Sequence, residues 1–254
     1  MPPLTVTPNV VDASTIPPTV DGERPTLGSG TDFPPLEQTL LDLAPGARTR
    51  RETDDCEEVL FVLDGAGSLS LGDETHALEP ESGAYLAPGD EYELANTGET
   101  QLTIISVRIP EPTGPEETPG EASTQTVRRL ADQQSQAATT DREFRIVADP
   151  STGLRSATHF VGYIPTAKAP EHFHTYNEVI YVLDGEGVLH AQGTDWRLGA
   201  GSCIQLPARS VHSLENTGDA WMRVVAVFRP AGSPAAAYYP DGTPAHADAP
   251  PLTT

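Results

Sequence analysis

The residues able to do chemistry gather in one stretch, EHFHTYNEVIYVLDGEG at 171–187. His172, His174 and Glu178 share parity, so on an extended segment their side chains leave the backbone on one side. Three donors on one wall can meet a single cation. Downstream, GSCIQLPARSVHSLEN at 201–216 brings His212 from what should be a neighbouring strand. Imidazole nitrogens with a carboxylate oxygen suit Fe(II), Mn(II), Co(II), Ni(II) or Zn(II), and the lack of nearby thiolates argues against a structural zinc site. A lone histidine is usually a surface or core residue, but these donors are not alone. Glu178 stands in an otherwise apolar run, where a buried carboxylate needs a cation beside it.

The elements that would position these donors come in two copies. Glu58-Val-Leu-Phe-Val-Leu-Asp-Gly65 matches Glu178-Val-Ile-Tyr-Val-Leu-Asp-Gly185 at an offset of 120, and Asn96-Thr-Gly98 matches Asn216-Thr-Gly218 at the same offset. Pro88 matches Pro207 at 119, which places a one-residue length change in the turn between them. Two matches in register indicate an internal duplication. Runs such as EVLFVL, LTIISVRI, EVIYVL and WMRVVAVF are short, β-branched or aromatic, and set off by Gly, Pro, Asn and Asp. Two similar all-β blocks fit a pair of barrels, since two copies are too few for a repeat array.

This reading divides the chain into an extended arm at 1–31, a first barrel at 32–110, a linker at 111–141, a second barrel at 142–230 and a tail at 231–254. The arm is free to wrap the body or a partner subunit of a homodimer. Within the linker, TQTVRRLADQQSQAA at 124–138 predicts a short helix from its Ala and Gln content, with a weak apolar stripe. Tyr238 and Tyr239 are expected to anchor an irregular tail.

At these motifs the chain resembles the cupin superfamily, specifically a two-domain bicupin. Residues 166–187 resemble the first cupin motif and 201–216 the second, with Gly201, Pro207, His212 and Asn216 in order and Arg209 in place of the usual glycine. The resemblance implies double-stranded β-helix barrels and one divalent transition metal, Fe(II) or Mn(II) before Zn, Ni or Co, held by His172, His174, Glu178 and His212. It does not choose among the oxygenases, isomerases, epimerases, decarboxylases and storage proteins that share the fold. The first block keeps the fold and loses the ligands. The 120 offset places Glu52, Asp54 and Glu58 at the positions of His172, His174 and Glu178, and Tyr92 at that of His212, so a metal-free scaffold is expected there.

Around the metal, His159 is a candidate proton donor, and Tyr163, Tyr176, Tyr181, Gln205, Trp221 and Arg223 are candidate pocket residues. His76, His190 and His246 lack apparent partners, and Cys203 reads as a small buried hydrophobe. A net charge of −22 repels phosphate backbones and anionic membranes, so neither nucleic acid nor membrane is an expected partner. With no apolar run of spanning length and no export signal at the start, a cytoplasmic protein is expected. No flavin, haem or nicotinamide motif accompanies the donors. The leading expectation is therefore an Fe(II)- or Mn(II)-dependent oxygenase acting with O₂ on a small oxygenated molecule. A redox-neutral isomerase or epimerase, a ureidoglycine aminohydrolase-like enzyme and a non-catalytic binding or storage protein are the alternatives. HFHTYNE and His212 depart from the aminohydrolase pattern, in which a glutamate opens the ligand set and a glutamine closes it.

Overall fold

In the computed structural model, which describes residues 3–28, 36–110, 126–139 and 141–252, the two blocks form barrels of like topology. The first joins a six-stranded sheet to a four-stranded one, and the second a seven-stranded sheet to a three-stranded one. Glu57–Asp64 is hydrogen-bonded between Ser82–Leu86 and Leu102–Ile109, and Asn177–Asp184 between Ser202–Leu206 and Met222–Arg229. Glu58 lies opposite Leu86 and Arg108, and Glu178 opposite Leu206 and Phe228. The 120-residue offset therefore holds on three strands at once.

Both central strands are buried on both faces. Leu60 and Val62 enter the first barrel's core with Leu69 and Leu94, and Ile180 and Val182 enter the second's with Leu189 and Leu214. The odd-numbered Val59, Phe61 and Val179 turn outward and meet across the barrel–barrel interface with Val161, Val225 and Val227. Each such side chain contributes roughly 1.5–3 kcal/mol on burial. The buried Glu57 carboxylate fastens the same interface, accepting hydrogen bonds from the N–H groups of Arg155 (2.7 Å) and Ser156 (3.1 Å) and from the hydroxyls of Ser156 and Tyr85.

Part of each segment that leads into a barrel pairs with the other barrel. In the arm, Asn9–Asp12 pairs with the strand Ser202–Leu206 of the second barrel, whereas Glu23–Leu27 edges the first barrel against Glu37–Leu43. In the linker, Val127–Arg129 pairs with Ser82–Leu86 of the first barrel. The helix expected at 124–138 is replaced, over its described residues, by that strand, a single 3-10 turn at Leu130–Asp132 and the short strand Gln136–Ala137. A weak apolar stripe gives a helix little to bury, while an open sheet edge satisfies the backbone and Leu130 still reaches the inter-barrel core. The rest of the linker, 111–125, lies outside the described residues. In the tail, Tyr238 is buried and stacks on Phe173, with ring centroids 5.6 Å apart, while Tyr239 is exposed. No helix among the described residues is long and apolar enough to cross a membrane.

Candidate metal centre

The strand His212–Asn216 and the extended segment around residue 172 carry the site. His172 and His212 face each other and exchange backbone hydrogen bonds of 3.0 and 2.9 Å. One residue on, Phe173 turns the other way and pairs with Tyr238 of the tail, so His174 returns to the side of His172. The expected parity is thus realised on a connection rather than on a regular strand. The imidazoles of His172, His174 and His212 offer donor atoms that all lie within 4.8 Å of one another.

Their tautomers follow from their partners. Nδ1 of His172 lies 2.8 Å from the carbonyl of Pro170, Nδ1 of His174 lies 2.8 Å from that of Ala236, and Nδ1 of His212 lies 3.0 Å from that of Ser210. A carbonyl only accepts, so each Nδ1 donates, and the three Nε2 lone pairs are left for a shared cation. Burial holds His172 at a pKa of about 4 and His174 at about 3, and it pushes His212 down as well, with the neighbouring imidazoles adding to the shift at His174 and His212. The rings are neutral at pH 7, as metal ligation requires.

Glu178 lines the same cavity, outside the 4.8 Å cluster. It is buried, and among the described residues its carboxyl has no hydrogen-bond or ion-pair partner. Burial raises its pKa to about 8. Three neutral imidazoles beside one orphaned carboxyl are a donor set that fits a divalent transition metal. The cavity is small, about 90 Å³, and is walled by Phe144, Phe160, Ile180, Leu214 and Val224. Tyr176 stacks on His174 (centroids 4.7 Å apart) and on Phe228 (3.8 Å), which fixes one side of the site.

Of the candidate pocket residues, Tyr163 and Tyr176 line this cavity. The others do not. Tyr181 packs against the inter-barrel core, and Gln205 shares the face of Cys203 on its strand rather than the inward face of Ile204 and Leu206. Arg223 points away from the cavity, pairing with Asp184 of its own barrel and Glu81 of the first, and Trp221 is exposed. His159 is buried in the interface against Phe61, facing opposite to Phe160, so it cannot serve as a proton donor at the metal cavity. The period of two decides all of these, because a one-residue change in phase moves a side chain from the barrel interior to its outer face. Cys203 is buried in the inter-barrel core, as expected. His190, read as partnerless, is held between Asp195 (2.7 Å) and Glu215 (2.8 Å).

The first barrel holds a different cluster at the equivalent place. Arg51, not Glu52, faces Tyr92 across the strands, because the first copy has one more residue than the second between this position and the central glutamate. The Arg51 guanidinium donates to the Tyr92 hydroxyl at 3.0 Å and pairs with Glu23, and the buried Glu58 lies 3.9 Å away, accepting from Ser106 at 2.5 Å. A fixed positive charge there opposes a metal ion.

Several cavity residues have no counterpart among the sequence candidates, and one of them carries a partly buried positive charge. Arg142, at the very start of the second barrel, lines the cavity and donates to the carbonyl of Leu214 at 2.5 Å. It stands in a segment without periodicity, so nothing in the sequence marks which way it points.

A Cupin domain family model matches residues 39–108 and 159–228. No curated protein matches the chain. Among solved structures, a Pseudomonas aeruginosa protein described as glyoxylate-induced is 20% identical with a TM-score of 0.72, over 89% of this chain and 90% of its own. Protein Ylba from E. coli, of the DUF861 family model, is 12% identical with a TM-score of 0.72, over 89% and 92%. A mutant oxalate decarboxylase of Bacillus subtilis is 15% identical with a TM-score of 0.66, over 87% and 76%. These likenesses establish the shared fold.

Proposed function

The chain belongs to the cupin family, and from that premise we propose that it is a metal-dependent oxygenase of a small oxygenated organic molecule, using Fe(II) or Mn(II). The observation that carries this reading is the convergence of three neutral imidazoles beside an unpartnered buried carboxyl in a small, largely apolar cavity. In this reading His172, His174, His212 and Glu178 hold the ion. Held by these four residues, a divalent ion would supply Lewis-acid and electron-transfer chemistry toward the substrate and O₂. The chain's own residues do the rest. The carbonyls of Pro170, Ala236 and Ser210 keep the imidazoles in one tautomer, Tyr176 and Phe228 hold His174 in place, and Phe144, Phe160 and Ile180 exclude water.

A second, redox-neutral reading draws support from Glu178 itself. In this reading Glu178 stands beside the ion rather than on it, and its carboxyl, in the cavity but outside the imidazole cluster, moves the proton, a role that His159, buried in the interface, cannot fill. The test is O₂ consumed per product formed by the metal-loaded protein across small diols, diketones, phenols and hydroxy acids. Stoichiometric uptake supports the oxygenase, and undiminished product without O₂ supports the isomerase.

A further inference from the structure

We propose that Arg142 is the substrate-anchoring residue of the metal cavity and that the substrate is a small monocarboxylate carrying a second oxygen next to its carboxylate. This deepens the metal-dependent reading above and rests on it. Arg24, Arg51, Arg108 and Arg223 are each paired with carboxylates, as expected in a chain with 37 acidic residues. Arg142 is partly buried and is the exception that lines the cavity: its one hydrogen bond goes to the neutral carbonyl of Leu214, and no carboxylate among the described residues pairs with it. Its chain neighbour Glu143 stands at the rim, exposed, and accepts from Ser135 instead.

A charge in that setting acts on whatever else enters. The guanidinium stays positive at neutral pH even when partly buried. With a divalent ion and an ionised Glu178 present, Arg142 leaves the cavity with an excess of positive charge even counting Glu143 at its rim, in a space walled mainly by apolar side chains. An anion that reaches both the guanidinium and the ion offsets that excess. The partly free fork of a single guanidinium matches a planar carboxylate. A cavity of about 90 Å³ takes only a small molecule beside the ion. The surface charge of −22 disfavours polyanions on approach.

The test uses the full chain loaded with Co(II), whose visible spectrum reports its ligands, titrated with glycolate and with its uncharged isostere glycolamide. Glycolate is expected to give a saturable spectral change, with glycolamide about 10- to 100-fold weaker. Arg142→Met should weaken glycolate by a similar factor and leave Co(II) affinity within about twofold, while Arg142→Lys should recover part of the loss. Equal binding of glycolate and glycolamide, no response to glycolate in the wild type, or unchanged glycolate affinity in Arg142→Met would overturn the proposal. If Arg142→Met does not fold, the wild-type comparison of the two ligands decides alone. Failure to bind Co(II) would overturn the metal reading and this inference with it, whereas bound Co(II) indifferent to glycolate overturns this inference only.

Discussion

His172 and His212 are joined by a reciprocal pair of backbone hydrogen bonds, 3.0 and 2.9 Å, that sets their imidazoles 4.4 Å apart centroid to centroid. Two of the three ligands are thus placed by main-chain pairing, which side-chain substitution leaves intact. Replacing either by alanine should lower metal affinity by more than the roughly 10–100-fold typical of losing a supporting partner, with little change in far-UV circular dichroism. Competition against a chelator measures it, and an affinity within a few-fold of wild type would remove that residue from the ligand set.

His174 depends on the tail. Its Nδ1 proton goes to the Ala236 carbonyl, and Phe173 beside it stacks on Tyr238. Truncation after Gly232 should reduce metal affinity by about 10–100-fold through loss of the tautomer and ring orientation. The same chelator competition on the truncated chain checks it, with retained affinity assigning the tail a purely packing role.

Glu178 makes the metal-free protein pH-sensitive in a direction opposite to the histidines. Its pKa rises from about 4.5 in the unfolded chain to about 8 on folding, so the folded state binds more protons between those values and loses stability as pH climbs from about 4.5 to 8. The histidines are held below their unfolded value of 6.5, so their share of stability is present above 6.5 and is lost as pH falls toward 4 and 3. Metal-free Glu178→Gln should therefore melt higher than wild type at pH 8 and alike at pH 4.5, by about 2–4 °C per kcal/mol relieved. Calorimetry at the two pH values reads this. Metal binding near pH 7 should also release about one proton from Glu178, seen as a buffer-dependent binding enthalpy.

The Glu57 carboxylate accepts from Arg155, Ser156 and Tyr85 within the barrel–barrel interface. Glu57→Ala strands several buried donors at about 1–3 kcal/mol each, so a loss of about 3 kcal/mol or more is expected in denaturant unfolding. A loss below about 1 kcal/mol would show that water replaces the carboxylate there.

Much of this was legible in the chain and some was not, for identifiable reasons. The duplication carried the register, since matched residues 120 apart pair alike on three strands, and common parity placed His172 and His174 together. Phase was harder. Glu57–Asp64 and Asn177–Asp184 are buried on both faces, so hydrophobic alternation fades and nothing in the local pattern separates the barrel interior from the inter-barrel face. Tyr181, Gln205, Arg223 and His159 were misplaced on that account. A single extra residue before Glu58 put Arg51 where the offset alone pointed to Glu52. Arg142 follows no period at all, and only the folded chain shows that it meets the cavity.

The most direct test of the account is the position of the metal itself. Crystals grown with Mn(II), examined by anomalous scattering at the manganese edge, should show one ion per chain with Nε2 of His172, His174 and His212 and a carboxylate oxygen of Glu178 about 2.0–2.3 Å away, near the range for such ligands on zinc. Glu178 must turn inward to join the imidazoles, and its movement on metal binding is part of the result predicted. An ion seated beside Arg51 in the first barrel, or no ion between the three histidines at saturating Mn(II), would contradict the central claim.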